Sequence, residues 1–167
     1  CIRDRGTKKH NTVAESSVKN ATSKNLFLYS NFEEDSNTNP IHDHAFNETN
    51  AWMYYSTEKA YLGKRSLKID VPDDDVNLAY TSVNLSGGKT YCFSTYVNTA
   101  DMSGDFYFYL YDSAANAELA RVYVPEGSTD ASIENGWRRI FLTADISTTG
   151  VYYLWMAFSG SGTVYLD

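Results

Sequence analysis

The sequence predicts an all-β domain, a two-sheet antiparallel β-sandwich or jelly roll, on three observations. From residue 26 onward, short runs alternate apolar and polar residues with period two, and Gly, Asn, Asp and Ser interrupt them at strand-length intervals. No window carries a sustained apolar stripe of helical period. The 167 residues are 43% apolar, enough for one domain to bury a sizeable core without disulfides.

Residues 1–24 are polar and basic with no periodicity and read as a flexible linker; the module is expected over 25–167. Leu26 to Phe32 and Ala51 to Ser56 alternate weakly. The clear strands are Ser66 to Val71, Asn77 to Val83, Thr90 to Asn98, Asp105 to Asp112, Glu118 to Val124, Trp137 to Thr143, Val151 to Phe158 and Thr163 to Asp167. Ser86-Gly87-Gly88-Lys89 and Ser159-Gly160-Ser161-Gly162 read as hairpin connections, since glycine supplies positive φ without steric cost.

Alternation also sorts side chains by face. Tyr91, Phe93, Thr95 and Val97 form a core set, which turns Cys92, Ser94 and Tyr96 away. Phe106, Phe108 and Leu110 oppose Tyr107, Tyr109 and Tyr111. In the Val151 strand, Tyr152, Leu154, Met156 and Phe158 point inward and leave Tyr153 and Trp155 outside. Trp137, at a strand start after Asn135-Gly136, reads as core.

Charge narrows the partners. Residues 1–25 hold six Lys/Arg against two acids, so the remainder holds eight against nineteen. After Lys89 the only Lys or Arg residues are Arg121, Arg138 and Arg139, too few to neutralise a phosphate backbone. Nucleic acid is therefore not an expected partner. No apolar run reaches the roughly 18 residues that a membrane span needs, and the N-terminus lacks an apolar signal core, so membrane insertion is not expected and any export signal is expected to lie outside these residues. Cys1 and Cys92 are too few to define a disulfide framework.

Catalytic motifs fail their context tests. Gly88-Lys89-Thr90 resembles the end of a phosphate loop, but Val83 stands where its first glycine belongs and a strand follows where a helix is required. His42 and His44 could share a strand face around a metal, yet they sit in a polar stretch with no third ligand. Asp73-Asp74-Asp75 after Pro72 reads as a solvated turn. No nucleophile elbow and no recognisable carboxylate pair is present, and the chain is expected not to be an enzyme.

The aromatic surplus, 14 Tyr, 8 Phe and 3 Trp, is the more informative feature. A sugar ring has an apolar C–H face and a rim of hydroxyls, and flat aromatic side chains beside hydrogen-bonding groups match both. The outward set Tyr96, Tyr107, Tyr109, Tyr111, Tyr153 and Trp155 is the candidate platform. Arg121, on the next strand, is a candidate for hydroxyl recognition or an ion-pair partner of Glu118. Tyrosine is also a good strand former that lies half exposed on any sheet, which is the plain alternative. The acidity of the domain favours a neutral polysaccharide over a polyanion.

The series Asn25-Leu26-Phe27-Leu28, Asn31-Phe32-Glu33, Trp52, Gly63 to Ile69, Leu85 with Gly88-Lys89-Thr90-Tyr91, Phe93 to Val97, Gly136-Trp137 and Gly160 with Gly162 to Asp167 resembles the carbohydrate-binding modules of the family 4, 9 and 22 type. Such modules occur in secreted bacterial glycoside hydrolases and in Gram-positive wall-associated repeat proteins. The resemblance implies a galactose-binding-like jelly roll, an extracellular or cell-surface bacterial location, a polysaccharide or cell-wall glycan as ligand and neighbouring domains of a larger protein as partners. It also implies a structural calcium ion (Ca2+) held by the Glu33 and Asp167 carboxylates with backbone carbonyls at Asn31 and near Lys64, oxygen donors that suit a hard cation. The alternative is that Glu33 caps a turn and Asp167 is merely terminal. For the whole module, the alternative function is a structural spacer or adhesion module with no glycan ligand.

Overall fold

The computed structural model describes residues 47–49, 52–72, 77–128 and 134–167; the expected linker, the Leu26 to Phe32 strand, Asn31, Glu33, the His42/His44 pair and Asp73 to Asp75 lie outside them. Among the described residues, eight strands follow in order: β1 (Asn47–Thr49), β2 (Trp52–Ser56), β3 (Ser66–Val71), β4 (Asn77–Leu85), β5 (Lys89–Asp112), β6 (Ala117–Val124), β7 (Trp137–Ile146) and β8 (Gly150–Leu166). All pairings are antiparallel. They form a two-layered β-sandwich of jelly-roll type in which β5 and β8 run through both layers. One layer is ordered β1, β4, first part of β8, second part of β5, β6. The other is ordered β2, β3, end of β8, first part of β5, β7.

The two long strands correct the expected boundaries. Thr90 to Asn98 and Asp105 to Asp112 are one strand, and so are Val151 to Phe158 and Thr163 to Asp167, with Asp167 just past the end of β8 but still exchanging backbone hydrogen bonds with Tyr96 at 2.8 and 2.9 Å. Ser159-Gly160-Ser161-Gly162 is not a turn. Gly160 lies opposite Gly104 and Gly162 opposite Met102, where the two strands pass each other between layers. A Cβ on Gly104 would lie 1.8 Å from the Ser159 carbonyl oxygen, and one on Gly160 would lie 2.0 Å from that of Ser103. Glycine is used here because backbone meets backbone, not because the chain reverses.

Ser86-Gly87-Gly88-Lys89 is a tight turn but not a hairpin, because β4 and β5 belong to different layers at that end. Gly88 (φ 73°) donates its N–H to the Ile146 carbonyl at 2.7 Å, and Gly87 donates to Thr149 Oγ1 at 2.9 Å, pinning this crossing to the neighbouring one between β7 and β8. Consecutive strands pair at β2–β3, through a long connection, and at β5–β6, a tight hairpin where Asp112 Oδ1 accepts the N–H groups of Ala114 and Ala115 and Asn116 takes positive φ.

The core follows the predicted alternation. Phe93, Val97, Phe106, Phe108, Leu110, Tyr152, Leu154, Met156 and Phe158 meet Leu67, Ile69, Val71, Val83, Leu85, Ile140, Leu142 and Ile146 between the layers, with Tyr91 packed against them. Trp137 is 2% exposed, as expected, but stands apart from that cluster. It lies with Tyr61, ring centroids 6.1 Å apart, in the β2–β3 connection, residues 57–65. Several bonds fasten this connection. Asp167 Oδ2 accepts the Tyr61 and Leu62 N–H groups at 2.8 and 2.9 Å, and Glu58 accepts from the buried Tyr165 hydroxyl at 2.8 Å and from Lys68 at 3.1 Å. Those two donors hold the Glu58 carboxyl below its usual range, while burial first and Glu58 second push the Tyr165 phenol upward.

The crossing makes a direct prediction. Gly160→Ala should cost about 3 kcal/mol or more, combining strain at φ 127° with displaced backbone. Gly127→Ala, also at positive φ but with nothing within 4 Å of the new methyl, should cost about 1 kcal/mol. Urea unfolding of both variants separates the two effects; equal losses would show that close approach at the crossing is not the constraint.

Candidate functional site

The outer face of the first layer is built from alternate residues of four adjacent strands. Ala79, Thr81 and Val83 bury one side of β4, leaving Tyr80 and Ser82 on the other; β8 contributes Tyr153, Trp155 and Ala157, and β5 contributes Tyr107, Tyr109 and Tyr111. In β6, Val122 and Val124 face the core and Arg121 and Tyr123 face out. Register aligns these into rows across the sheet. One runs Tyr80, Trp155, Tyr109, Arg121; a second runs Ser82, Tyr153, Tyr111, Glu118; a third sets Ala157, Tyr107 and Tyr123 side by side.

Cross-strand neighbours are close enough for their rings to touch. Trp155 is the hub, with ring centroids 5.8 Å from Tyr80, 5.6 Å from Tyr109 and 4.9 Å from Tyr111. Its indole N–H is covered and has no hydrogen-bond partner among the described residues. Trp155 is thus a floor on which three tyrosine rings rest. Tyr107 and Tyr123 stack at 5.2 Å, and Tyr123 is 49% exposed. Burial, then the nearby Glu118 charge, raises the Tyr109 phenol above its ordinary value, so it stays a neutral hydroxyl that can donate and accept. The Tyr111 hydroxyl donates to Asn116 Oδ1.

Arg121 lies over this surface, its guanidinium carbon 5.6 Å from the Tyr107 ring centroid and 5.9 Å from that of Tyr109. It is also the partner of Glu118: its Nε is 3.0 Å from both Glu118 carboxylate oxygens and its Nη2 donates to Oε2. Residues three apart on a regular strand point to opposite faces. Here the register between β5 and β6 shifts, Leu110 pairing with Ala120 and Tyr111 with Glu118, so Leu119 is an extra, exposed residue. This β-bulge brings Glu118 round to the tyrosine face.

The structure therefore gathers Tyr107, Tyr109, Tyr111, Arg121, Tyr153 and Trp155 on one face. Tyr96 does not join them. It lies on the part of β5 that pairs with β7, in the other layer, where its ring stacks on Tyr61 at 3.9 Å and the Arg139 guanidinium carbon lies 6.0 Å from its centroid. Parity was right for its strand, but the strand changes layers beyond it. Sequence reasoning left out Tyr80 and Tyr123, which the same alternation would have found, and the placement of Glu118, which depends on the bulge. Of the expected calcium donors, Lys64 is exposed in the β2–β3 connection and Asp167 is engaged through Oδ2 as described. Among the described residues, no three His, Cys, Asp or Glu side chains are grouped around a possible metal position.

No protein-family model and no curated protein matches this chain. Solved structures do. The C-terminal family 22 carbohydrate-binding module of Clostridium thermocellum Xyn10B superposes with a TM-score of 0.57 at 17% identity, over 87% of this chain and 92% of that one. A family 61 carbohydrate-binding module, solved with β-1,4-galactotriose, gives 0.57 at 11% identity over 87% and 95%. An arabinose-bound GH51 α-L-arabinofuranosidase gives 0.63 at 14% identity over 85% of this chain, which spans only 25% of that enzyme. The chain has the fold of the β-sandwich carbohydrate-binding modules.

Proposed function

We propose that the tyrosine face binds a neutral polysaccharide without turning it over, and that the chain serves as a binding module of a larger exported bacterial protein. The observation that carries this reading is the row Tyr80, Trp155, Tyr109 and Arg121, which lays aromatic surface and a multiple hydrogen-bond donor across four strands. Sugar C–H faces would rest on the rings, and hydroxyls would meet phenols and the guanidinium. The similarity in fold to modules that bind glycans supports the reading, and the β-1,4-galactotriose of one of them supplies a first probe.

Calcium belongs to the same reading. Asp167 keeps one carboxylate oxygen without a partner among the described residues, a donor of the kind a hard cation takes, and we propose that it holds Ca2+ with Glu33 and backbone carbonyls at Asn31 and near Lys64. The ion would then tie the last strand to earlier parts of the chain.

Two measurements test these readings. In titration calorimetry against a glycan identified on an array, Tyr109→Ala should weaken binding about tenfold, as loss of one stacked ring does. Tyr96→Ala should change it less than about twofold, since that ring is in the other layer. Equal losses, or loss only with Tyr96→Ala, would move the site off this face. In thermal melting, chelator should lower the wild-type midpoint by several degrees relative to saturating calcium, because about 2.7 kcal/mol follows from a hundredfold excess over Kd. Asp167→Asn, which can still accept the two amides, should melt alike in both buffers. A wild type indifferent to chelator would remove the ion.

A further inference from the structure

The tyrosine face carries one ion pair whose position is itself built. Among the described residues of the strand segments that build this layer, with β5 counted from Asp105 and β8 to Ser159, Arg121 is the only Lys or Arg. Its charge is met by Glu118 through both carboxylate oxygens, and only the bulge at Leu119 places that carboxylate on the same side. Bulges that re-aim a side chain are a recurring device at binding surfaces. Without Glu118, a guanidinium lying over Tyr107 and Tyr109 would be a ready fork for a carboxylate, the geometry in which arginine binds anions best. With Glu118 in place, an incoming carboxylate must displace one already seated and meet its repulsion.

We propose that Glu118 sets the specificity of this face, acting as a charge filter that leaves Arg121 available to sugar hydroxyls but closed to uronic acids. This rests on the glycan-binding reading of the face and adds the residue that selects the glycan class. The other acid near the row, Asp105, is occupied separately: it accepts the Glu126 N–H at 3.0 Å and the Tyr107 hydroxyl at 3.4 Å. It therefore does not substitute for Glu118 as a partner to Arg121. Asp112 is taken up by the β5–β6 turn.

The test uses the whole chain and three matched pairs of soluble polysaccharides, each a neutral member and a uronic acid-bearing one. They are mixed-linkage β-1,3/β-1,4-glucan and β-1,4-galactan with their C6-oxidised forms, and arabinoxylan with glucuronoxylan. Wild type should bind a neutral member better than its acidic counterpart in affinity electrophoresis and calorimetry. Glu118→Gln, which keeps shape and hydrogen-bonding capacity, should strengthen binding of the acidic member about fivefold, as much as one well-placed exposed charge pair supplies, and leave the neutral member within about twofold. The gain should fade at high salt and vanish in the double variant Glu118→Gln/Arg121→Gln. If Glu118→Gln shifts both members equally or neither, or if wild type already prefers the acidic member, Glu118 is not the filter, while the face remains a glycan site. If wild type binds none of the six, the glycan reading falls and this inference with it.

Discussion

Everything about the tyrosine face depends on the passage of β5 and β8 through both layers. Because the two strands remain neighbours along most of their length, the register that sets Gly104 against Gly160 also sets Tyr109 against Trp155 and Tyr111 against Tyr153. A slip of one residue would exchange Phe106, Phe108 and Leu110 for the tyrosines on every pair at once. The buried set is thus the guarantor of the exposed one. The missing Cβ atoms at the crossing are what allow the strands to approach, and the β-bulge between Asn98 and Asp101 resets the pairing just before it.

The two layers treat their outer faces differently. On the β7 side, the β2–β3 connection is fastened by Asp167 and Glu58 and its Tyr61 lies on Tyr96, so the aromatic side chains there serve packing. On the β6 side, tyrosines rest on Trp155 and keep part of each ring in solvent. An aromatic surface with neutral phenols and one balanced guanidinium suits a ligand that is itself flat, hydroxylated and uncharged. The same physical property, a phenol's apolar body and polar tip, stabilises the cross-strand ladder and makes the surface adhesive.

Sequence alternation carried most of this. It separated Phe106, Phe108 and Leu110 from Tyr107, Tyr109 and Tyr111, and Tyr152 and Leu154 from Tyr153 and Trp155, because each pleat has only two sides and the core claims one. What it could not carry was long-range. Glycine in Ser159 to Gly162 looks the same whether it turns a chain or lets two backbones meet, so a crossing was read as a hairpin. Tyr96 has the right parity on a strand that belongs to another layer at that point, which only pairing partners reveal. Trp137 was correctly buried for a reason that lay in a connection far from it in sequence. The sequence offered the Glu118–Arg121 ion pair, which the structure forms, but the bulge at Leu119 that lets residues three apart share a face left no signature in residue type.

Among the three tryptophans, only Trp155 stands on the tyrosine face; Trp137 is buried beside Tyr61, and Trp52 is exposed on the edge strand of the other layer. Their indole N–H resonances in a nitrogen-correlated NMR spectrum are therefore three separate reporters. Titration with a bound polysaccharide should move the Trp155 signal saturably and leave that of Trp137 in place. Saturable binding that moves only Trp52, or none of the three, would contradict the assignment of the glycan to this face.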